Sequence, residues 1–118
     1  MAAMAPKQLA RRIMGLAVKK KAEDLVLLNL KKLSNVTDYF VICSASSDVH
    51  ARVIADAVIE GMKGKDAILH VEGYESAHWI LIDCFNVIFH IFKPEVREFY
   101  GLEGLWGDAP REEYPDGA

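Results

Sequence analysis

The chain has 118 residues, of which 52% are hydrophobic and 26% are charged. This length suits one domain with a core that needs no metal or disulfide, and the composition excludes a disordered chain. The net charge of −3 argues against a protein that grips nucleic-acid phosphates, because such proteins usually have a basic surface and a high pI.

The N-terminal part of the chain predicts one helix followed by two strands. Leu9, Ile13 and Leu16 lie on one stripe of a helix over residues 7–21, with three lysines in its last turn. The apolar run in residues 24–30 predicts a strand that is buried on both faces. Aromatic and β-branched residues over residues 39–43 predict a second strand.

A second helix is predicted after a segment of small and capping residues. Ser46 and Ser47 are interpreted as helix caps rather than as nucleophiles. The apolar face of this helix is expected to consist of Val53, Ile54, Ala57, Val58 and Gly61.

The C-terminal half predicts three strands and a short helix. Residues 67–72 are predicted to form a third strand, and residues 79–83 and 87–92 a hairpin with a tight connection. Pro94 opens a helix that Gly101 ends, and residues 102–106 add one more turn. Residues 108–118 carry prolines, acids and glycine, and are predicted to form a tail.

The predicted order of elements is therefore α-β-β-α-β-β-β-α. This order gives an α/β (α+β) fold, with a mixed β-sheet and helices mainly on one face. We expect a single domain over residues 1–110 and a C-terminal tail over residues 111–118. The second face of the sheet must then meet either water or a partner.

Residues able to carry chemistry are present, but their spacing does not suit catalysis. Nucleotidyl transfer needs close carboxylates, and the residue two positions after Asp83 is Phe85. Cys43 and Cys84 lie in apolar runs, as is typical of reduced core cysteines in a cytosolic protein. No compact zinc spacing occurs among His70, Glu72, His78, Asp83 and His90. We expect no enzyme activity, no metal and no cofactor.

The hairpin strands carry a set of aromatic and polar residues on one face. Alternation places Trp79, Leu81 and Asp83 together on the first strand, and His90 with Phe92 on the second. Such a mixture is typical of the centre of a protein interface. The alternative is that Trp79 is half-covered core and His90 a satisfied buried histidine.

Residues outside the hairpin extend this hypothesis. Asp38, next to Tyr39, is interpreted either as a local cap or as the ion-pair partner of Arg97. Arg97 and Tyr100 share one side of the last helix and are expected to close the edge of the binding face. Trp106 is interpreted as a packing anchor for the C-terminal segment.

Four blocks of the sequence form a distinctive set, namely Asp38-Tyr39-Phe40-Val41-Ile42, Trp79-Ile80-Leu81-Ile82-Asp83, Pro94-Glu95-Val96-Arg97-Glu98-Phe99-Tyr100 and Leu102-Glu103-Gly104-Leu105-Trp106-Gly107-Asp108-Ala109-Pro110. With these blocks the chain resembles the ribosomal silencing factor (RsfS/Iojap) family over about residues 7–110. The resemblance implies a nucleotidyltransferase-like fold without that chemistry. It also implies binding to a protein at the intersubunit face of the large ribosomal subunit, which blocks subunit joining and represses translation.

The hypothesis is therefore a translation repressor that contacts a basic ribosomal protein and little RNA. The expected partner-binding residues are Asp38, Tyr39, Trp79, Leu81, Asp83, His90, Arg97 and Tyr100. A metal-dependent nucleotidyltransferase or nucleotide-binding protein is the alternative. A third hypothesis is a homodimer through the open face, which need not exclude the first. No apolar run is long enough to span a membrane. The resemblance implies a cytoplasmic bacterial protein, with an organellar source left open.

Overall fold

The computed structural model describes residues 5–63 and 67–113, which form a six-stranded mixed sheet with four helices. In chain order the elements are α1 (Pro6–Val18), β1 (Glu23–Asn29), β2 (Tyr39–Ser44), α2 (Asp48–Gly61), β3 (His70–Glu72), β4 (Trp79–Asp83), β5 (Val87–Phe92), α3 (Pro94–Tyr100), α4 (Leu102–Leu105) and β6 (Arg111–Glu113). The strands are arranged β3-β4-β5-β2-β1-β6. Only β2 and β5 pair in parallel; the other four neighbouring pairs are antiparallel. The predicted mixed α/β fold is confirmed.

The two longer helices, α1 and α2, pack on one face of the sheet and build the larger hydrophobic core. Their inward side chains, including Ile13, Ile54 and Val58, meet strand residues such as Ile80 and Phe89. All five are fully buried. This arrangement follows from the strand alternation, because every second residue of β4 and β5 is apolar and points to the helices.

The two short helices, α3 and α4, lie on the opposite face and cover part of it. Val96, Leu102 and Trp106 pack there against a second buried cluster that includes Ile42 and Phe92. The second sheet face is therefore only partly open. Trp106 has its ring edge-on to Phe40 at 6.3 Å, which confirms its interpretation as a packing anchor.

The two long helices differ from the sequence prediction in their ends and faces. Helix α1 stops at Val18, so the three lysines lie in the turn after it, where Lys21 adopts a left-handed φ of 62°. On α2 the buried residues are Ala51, Ile54, Ala55 and Val58, whereas Val53 is exposed. The prediction for α2 was wrong at Val53, because the helix carries small and β-branched residues on more than one side and its apolar face is ambiguous from sequence.

Two strands also differ from the prediction. Strand β3 is only three residues long, because residues 67–69 precede it without strand structure. The predicted tail contains the edge strand β6, which pairs with β1. In this pairing Arg111 lies opposite Leu28, and Glu113 lies opposite Val26. The packed structure thus continues past residue 110, and the remainder of the tail, residues 114–118, lies outside the described part.

The N-terminus of α2 is capped by Ser47, whose side-chain oxygen accepts a hydrogen bond from the backbone N–H of His50 at 3.0 Å. We expect Ser47→Ala to lower the free energy of unfolding by about 1 kcal/mol, because one N–H of the first helical turn loses its acceptor. Urea unfolding measures this loss. Ser47→Asp is the matched control, since it retains a capping oxygen; an equal loss in both variants would argue against the capping role.

Candidate functional site

One face of the sheet, which we call the aromatic face, carries Phe40, Trp79, His90 and Phe92. The antiparallel register of β4 and β5 places Trp79 opposite Phe92, and Leu81 opposite His90. The parallel register of β2 and β5 brings Phe40 and Ile42 alongside these residues. The predicted grouping of Trp79, Leu81, Asp83 and His90 on one face is therefore what the structure shows.

His90 lies at the buried centre of the aromatic face, with 3% of its surface exposed. Its ring stacks on Phe92 with an interplanar angle of 9° and meets Phe40 edge-on at 4.5 Å. The indole Nε1–H of Trp79 donates a hydrogen bond to His90 Nδ1 at 3.0 Å. Burial lowers the pKa of His90 from 6.5 to about 3, because the charged imidazolium would lose its hydration. The imidazole is therefore neutral at neutral pH.

Trp79 marks the border between the buried cluster and the surface. Its ring contacts Phe92 on the inner side and Tyr100 of α3 on the outer side, each with ring centres 4.8 Å apart. The backbone of Trp79 is held by the preceding turn, where Gly73 has a φ of 78° and lies directly against the Trp79 carbonyl. A side chain at position 73 would collide with this carbonyl, so the turn requires glycine.

A groove of about 470 Å³ opens between the start of β4 and α3. Its lining residues are Ser76, His78, Trp79, Glu95, Val96, Phe99 and Tyr100. Phe99 is 81% exposed and Tyr100 is 53% exposed, and their rings meet edge-on at 5.1 Å. An apolar groove with a few polar groups at its rim is a common form of binding site.

Arg97 does not contribute to this groove, although it was predicted beside Tyr100. Its side chain is 12% exposed and donates to Glu103 Oε1 at 2.7 Å and to Ser44 Oγ at 2.9 Å. Glu103 also pairs with Arg111 of β6 at 3.1 Å. The two guanidinium groups hold the pKa of the Glu103 carboxyl below its usual range. Arg97 therefore fastens α3, α4 and the end of β2 together.

Asp38 and Tyr39 lie apart from the groove as well. The proposed ion pair between Asp38 and Arg97 is wrong, because Asp38 precedes the start of β2 whereas Arg97 contacts Ser44 at its end. Six residues of extended strand separate these positions by roughly 20 Å. Tyr39 is 2% exposed and belongs to the core beneath α1 and α2.

Leu81 and Asp83 are partly buried on the aromatic face, farther along β4 from the groove. The carboxylate of Asp83 accepts a hydrogen bond from the backbone N–H of Phe85 at 3.1 Å, which shapes the hairpin turn. Of the eight predicted residues, the structure thus brings Trp79, His90 and Tyr100 together. Leu81 and Asp83 share their face, and the other three serve different parts of the fold.

Five residues that line the groove were not predicted from the sequence, namely Ser76, His78, Glu95, Val96 and Phe99. Glu95 and Phe99 are four positions apart on α3 and therefore share one side of the helix. The only sequence signal for their role was the four-residue spacing itself. A short helix gives no periodicity long enough to separate its packed side from its exposed side.

The cysteine, histidine and acidic residues that were considered for catalysis or metal binding lie in the core or on the surface. Burial raises the pKa of the Cys43 thiol far above its usual range and that of Cys84 to about 11, which opposes formation of a reactive thiolate. His70 and Glu72 face each other at 3.0 Å on the surface. Within residues 5–63 and 67–113, no three His, Cys, Asp or Glu side chains are grouped so as to hold a metal ion.

Comparison with known proteins identifies the family. The family model described as "Ribosomal silencing factor during starvation" matches residues 3–117. The chain belongs to this family. Curated RsfS proteins that resemble it include one from Halalkalibacterium halodurans, 42% identical over 77% of this chain and 79% of that protein. Another, from Bacillus subtilis, is 38% identical over 77% of this chain and 78% of that protein.

Solved structures and an organellar relative extend the RsfS comparison. A crystal structure from Chromobacterium violaceum superposes with a TM-score of 0.84 at 27% identity, covering 88% of each chain. One from Bacillus halodurans gives a TM-score of 0.79 at 35% identity, covering 92% of this chain and 99% of that one. The mouse protein named "Mitochondrial assembly of ribosomal large subunit protein 1" is 29% identical over 80% of this chain and 43% of its own length.

Among the described residues, no helix is both long enough and apolar enough to cross a lipid bilayer.

Proposed function

We propose that this RsfS-family chain binds a protein at the intersubunit face of the large ribosomal subunit and sterically prevents the small subunit from joining. The observation that carries the proposal is the groove beside α3, where Trp79, Phe99 and Tyr100 present aromatic surface. Aromatic anchors of this kind supply much of the affinity at protein interfaces. The name of the mouse relative, which refers to the large subunit, supports the choice of subunit.

The charge of the chain favours a basic protein rather than RNA as the direct contact. The net charge is −3, and the groove carries Glu95 at its rim with Glu98 exposed on the same short helix. An acidic rim attracts a basic protein surface and repels RNA phosphates, which improves orientation during encounter. Little direct RNA contact is therefore expected.

In this proposal the chain acts by occupying a surface rather than as an enzyme, and no nucleotide, metal or covalent step is required. Repression then depends only on the concentration of the chain and on its affinity for the subunit. We place this action in the bacterial cytoplasm, because the RsfS relatives at 42% and 38% identity are bacterial proteins.

Co-sedimentation with purified bacterial large subunits tests the proposed partner. We expect the chain to pellet with large subunits in a saturable manner and not with small subunits. Binding should weaken as the salt concentration rises, because the rim charges lose their effect. Equal recovery with both subunits, or none with either, would contradict the proposal. The molar mass of the free chain across concentrations reports whether self-association through the same face competes.

A further inference from the structure

The hydrogen bond between Trp79 and His90 fixes the ionisation and tautomer of a buried histidine. Because the indole N–H can only donate, His90 Nδ1 must be the acceptor and carry no proton. The ring proton of the neutral imidazole therefore resides on Nε2. That atom is buried and has no hydrogen-bond partner among the described residues.

Packing alone does not explain a histidine in this position. Its neighbours Phe40, Phe92 and Trp79 are aromatic, and a phenylalanine would fill the same stacked position without an unpaired polar atom. Burial of an unsatisfied N–H destabilises the folded state. What phenylalanine cannot supply is an acceptor for the Trp79 indole, so the specific contribution of His90 is made at Nδ1.

The orientation of Trp79 matters because this residue connects the buried cluster to the groove. The ring packs against Tyr100 on its outer side and lines the groove. Without an acceptor beneath it, the indole N–H would gain a partner only by turning toward water. Such a turn would move the ring out of its contact with Tyr100 and change the shape of the groove.

We infer that His90 is a positioning residue, which holds the Trp79 indole in the orientation that the ribosomal partner contacts. It acts through Trp79 and does not itself touch the partner, since it is almost completely buried. The inference rests on the proposed function for its link to affinity. The link between His90 and the indole orientation can be tested separately from it.

The test compares two substitutions that differ in the acceptor. His90→Phe preserves aromatic packing and removes the acceptor, whereas His90→Asn places an amide oxygen near the position of Nδ1. The ¹⁵N–¹H spectrum of the full chain reports on both indole groups. The spectrum of Trp106→Phe, which lacks the Trp106 signal, assigns the remaining indole signal to Trp79. We expect rapid hydrogen exchange at Trp79 Nε1 in His90→Phe and slow exchange in the wild type and His90→Asn.

Affinity for large subunits provides the second measurement. His90→Phe should bind about fivefold to tenfold more weakly than the wild type, as expected for one lost hydrogen bond, and His90→Asn should stay within about threefold. Trp79→Phe removes the donor instead. Adding His90→Phe to Trp79→Phe should cause little further loss, because the hydrogen bond that His90 accepts is already absent.

Three results would overturn the inference. One is a slowly exchanging indole with full affinity in His90→Phe, and another is an equal loss of affinity in His90→Asn. The third is additive losses in the double variant, which would show that the two residues act independently. If no form of the chain binds large subunits, the proposed function fails instead, and the indole exchange rates still decide whether His90 positions Trp79.

Discussion

Trp79→Ala is expected to weaken binding to the large ribosomal subunit by more than about tenfold. The substitution removes the ring that lines the groove and the contact that this ring makes with Tyr100. It also deletes the donor to His90. The measurement is a titration of large subunits with the purified variant, after circular dichroism has shown that the variant is folded.

Phe85→Ala is the matched control for this prediction. Phe85 is also an exposed aromatic residue, with 56% of its surface accessible, but it lies in the turn at the other end of β4. The five residues of β4 place it roughly 15 Å from Trp79. The control should retain wild-type affinity. Unchanged binding by folded Trp79→Ala, or equal losses in both variants, would remove Trp79 from the interface.

Acidification is expected to destabilise the protein through His90. The pKa of His90 is about 3 in the folded protein, whereas the ordinary value of 6.5 applies to the unfolded chain. Between these two pH values the unfolded chain therefore binds more protons than the folded protein. The contribution of His90 is complete above pH 6.5 and is lost progressively as the pH falls toward 3. Between pH 7 and pH 5 the loss amounts to about 2 kcal/mol of unfolding free energy.

Urea unfolding at pH 7 and pH 5 measures this loss, and His90→Phe is the comparison. The variant retains the other three histidines, so their contributions are common to both proteins. We expect the wild type to lose about 2 kcal/mol more than the variant on acidification. Parallel pH dependence in the two proteins would show that His90 takes up its proton in the folded state as readily as in the unfolded chain.

Most of the sheet could be predicted from sequence because its strands have clear patterns. The alternation in β4 and β5 identifies the hairpin and assigns Ile80 and Ile82 to the helix-covered side. The uninterrupted apolar run in β1 indicates burial on both faces, which the structure confirms. These signals are strong because every second residue of a strand buried on one face is apolar, and every residue of a strand buried on both faces is apolar.

Strand β6 could not be predicted in the same way. Arg111, Glu112 and Glu113 are exposed and charged, and they pair with β1 at the sheet edge. Glu112 meets Arg11 of α1 at 3.0 Å, a contact between residues 101 positions apart. No local pattern signals a strand of this kind, because backbone pairing leaves no trace in the side chains.

Only part of the candidate site could be predicted from the sequence. Residues on one strand face share a direction, so the grouping of Trp79 with His90 follows from strand alternation. The ion pair of Arg97 with Glu103 depends on how α3 and α4 fold back over the sheet. Tertiary packing of two short helices decides which of their side chains turn inward, and the spacing of residues on one helix does not.

Order-of-addition subunit joining tests the central claim most directly. Large subunits are first saturated with the chain, small subunits are added, and joined ribosomes are separated by sucrose gradient. We expect a marked reduction in joined ribosomes with the wild type and near-normal joining with Trp79→Ala. Saturated binding of the wild type with undiminished joining would contradict steric repression.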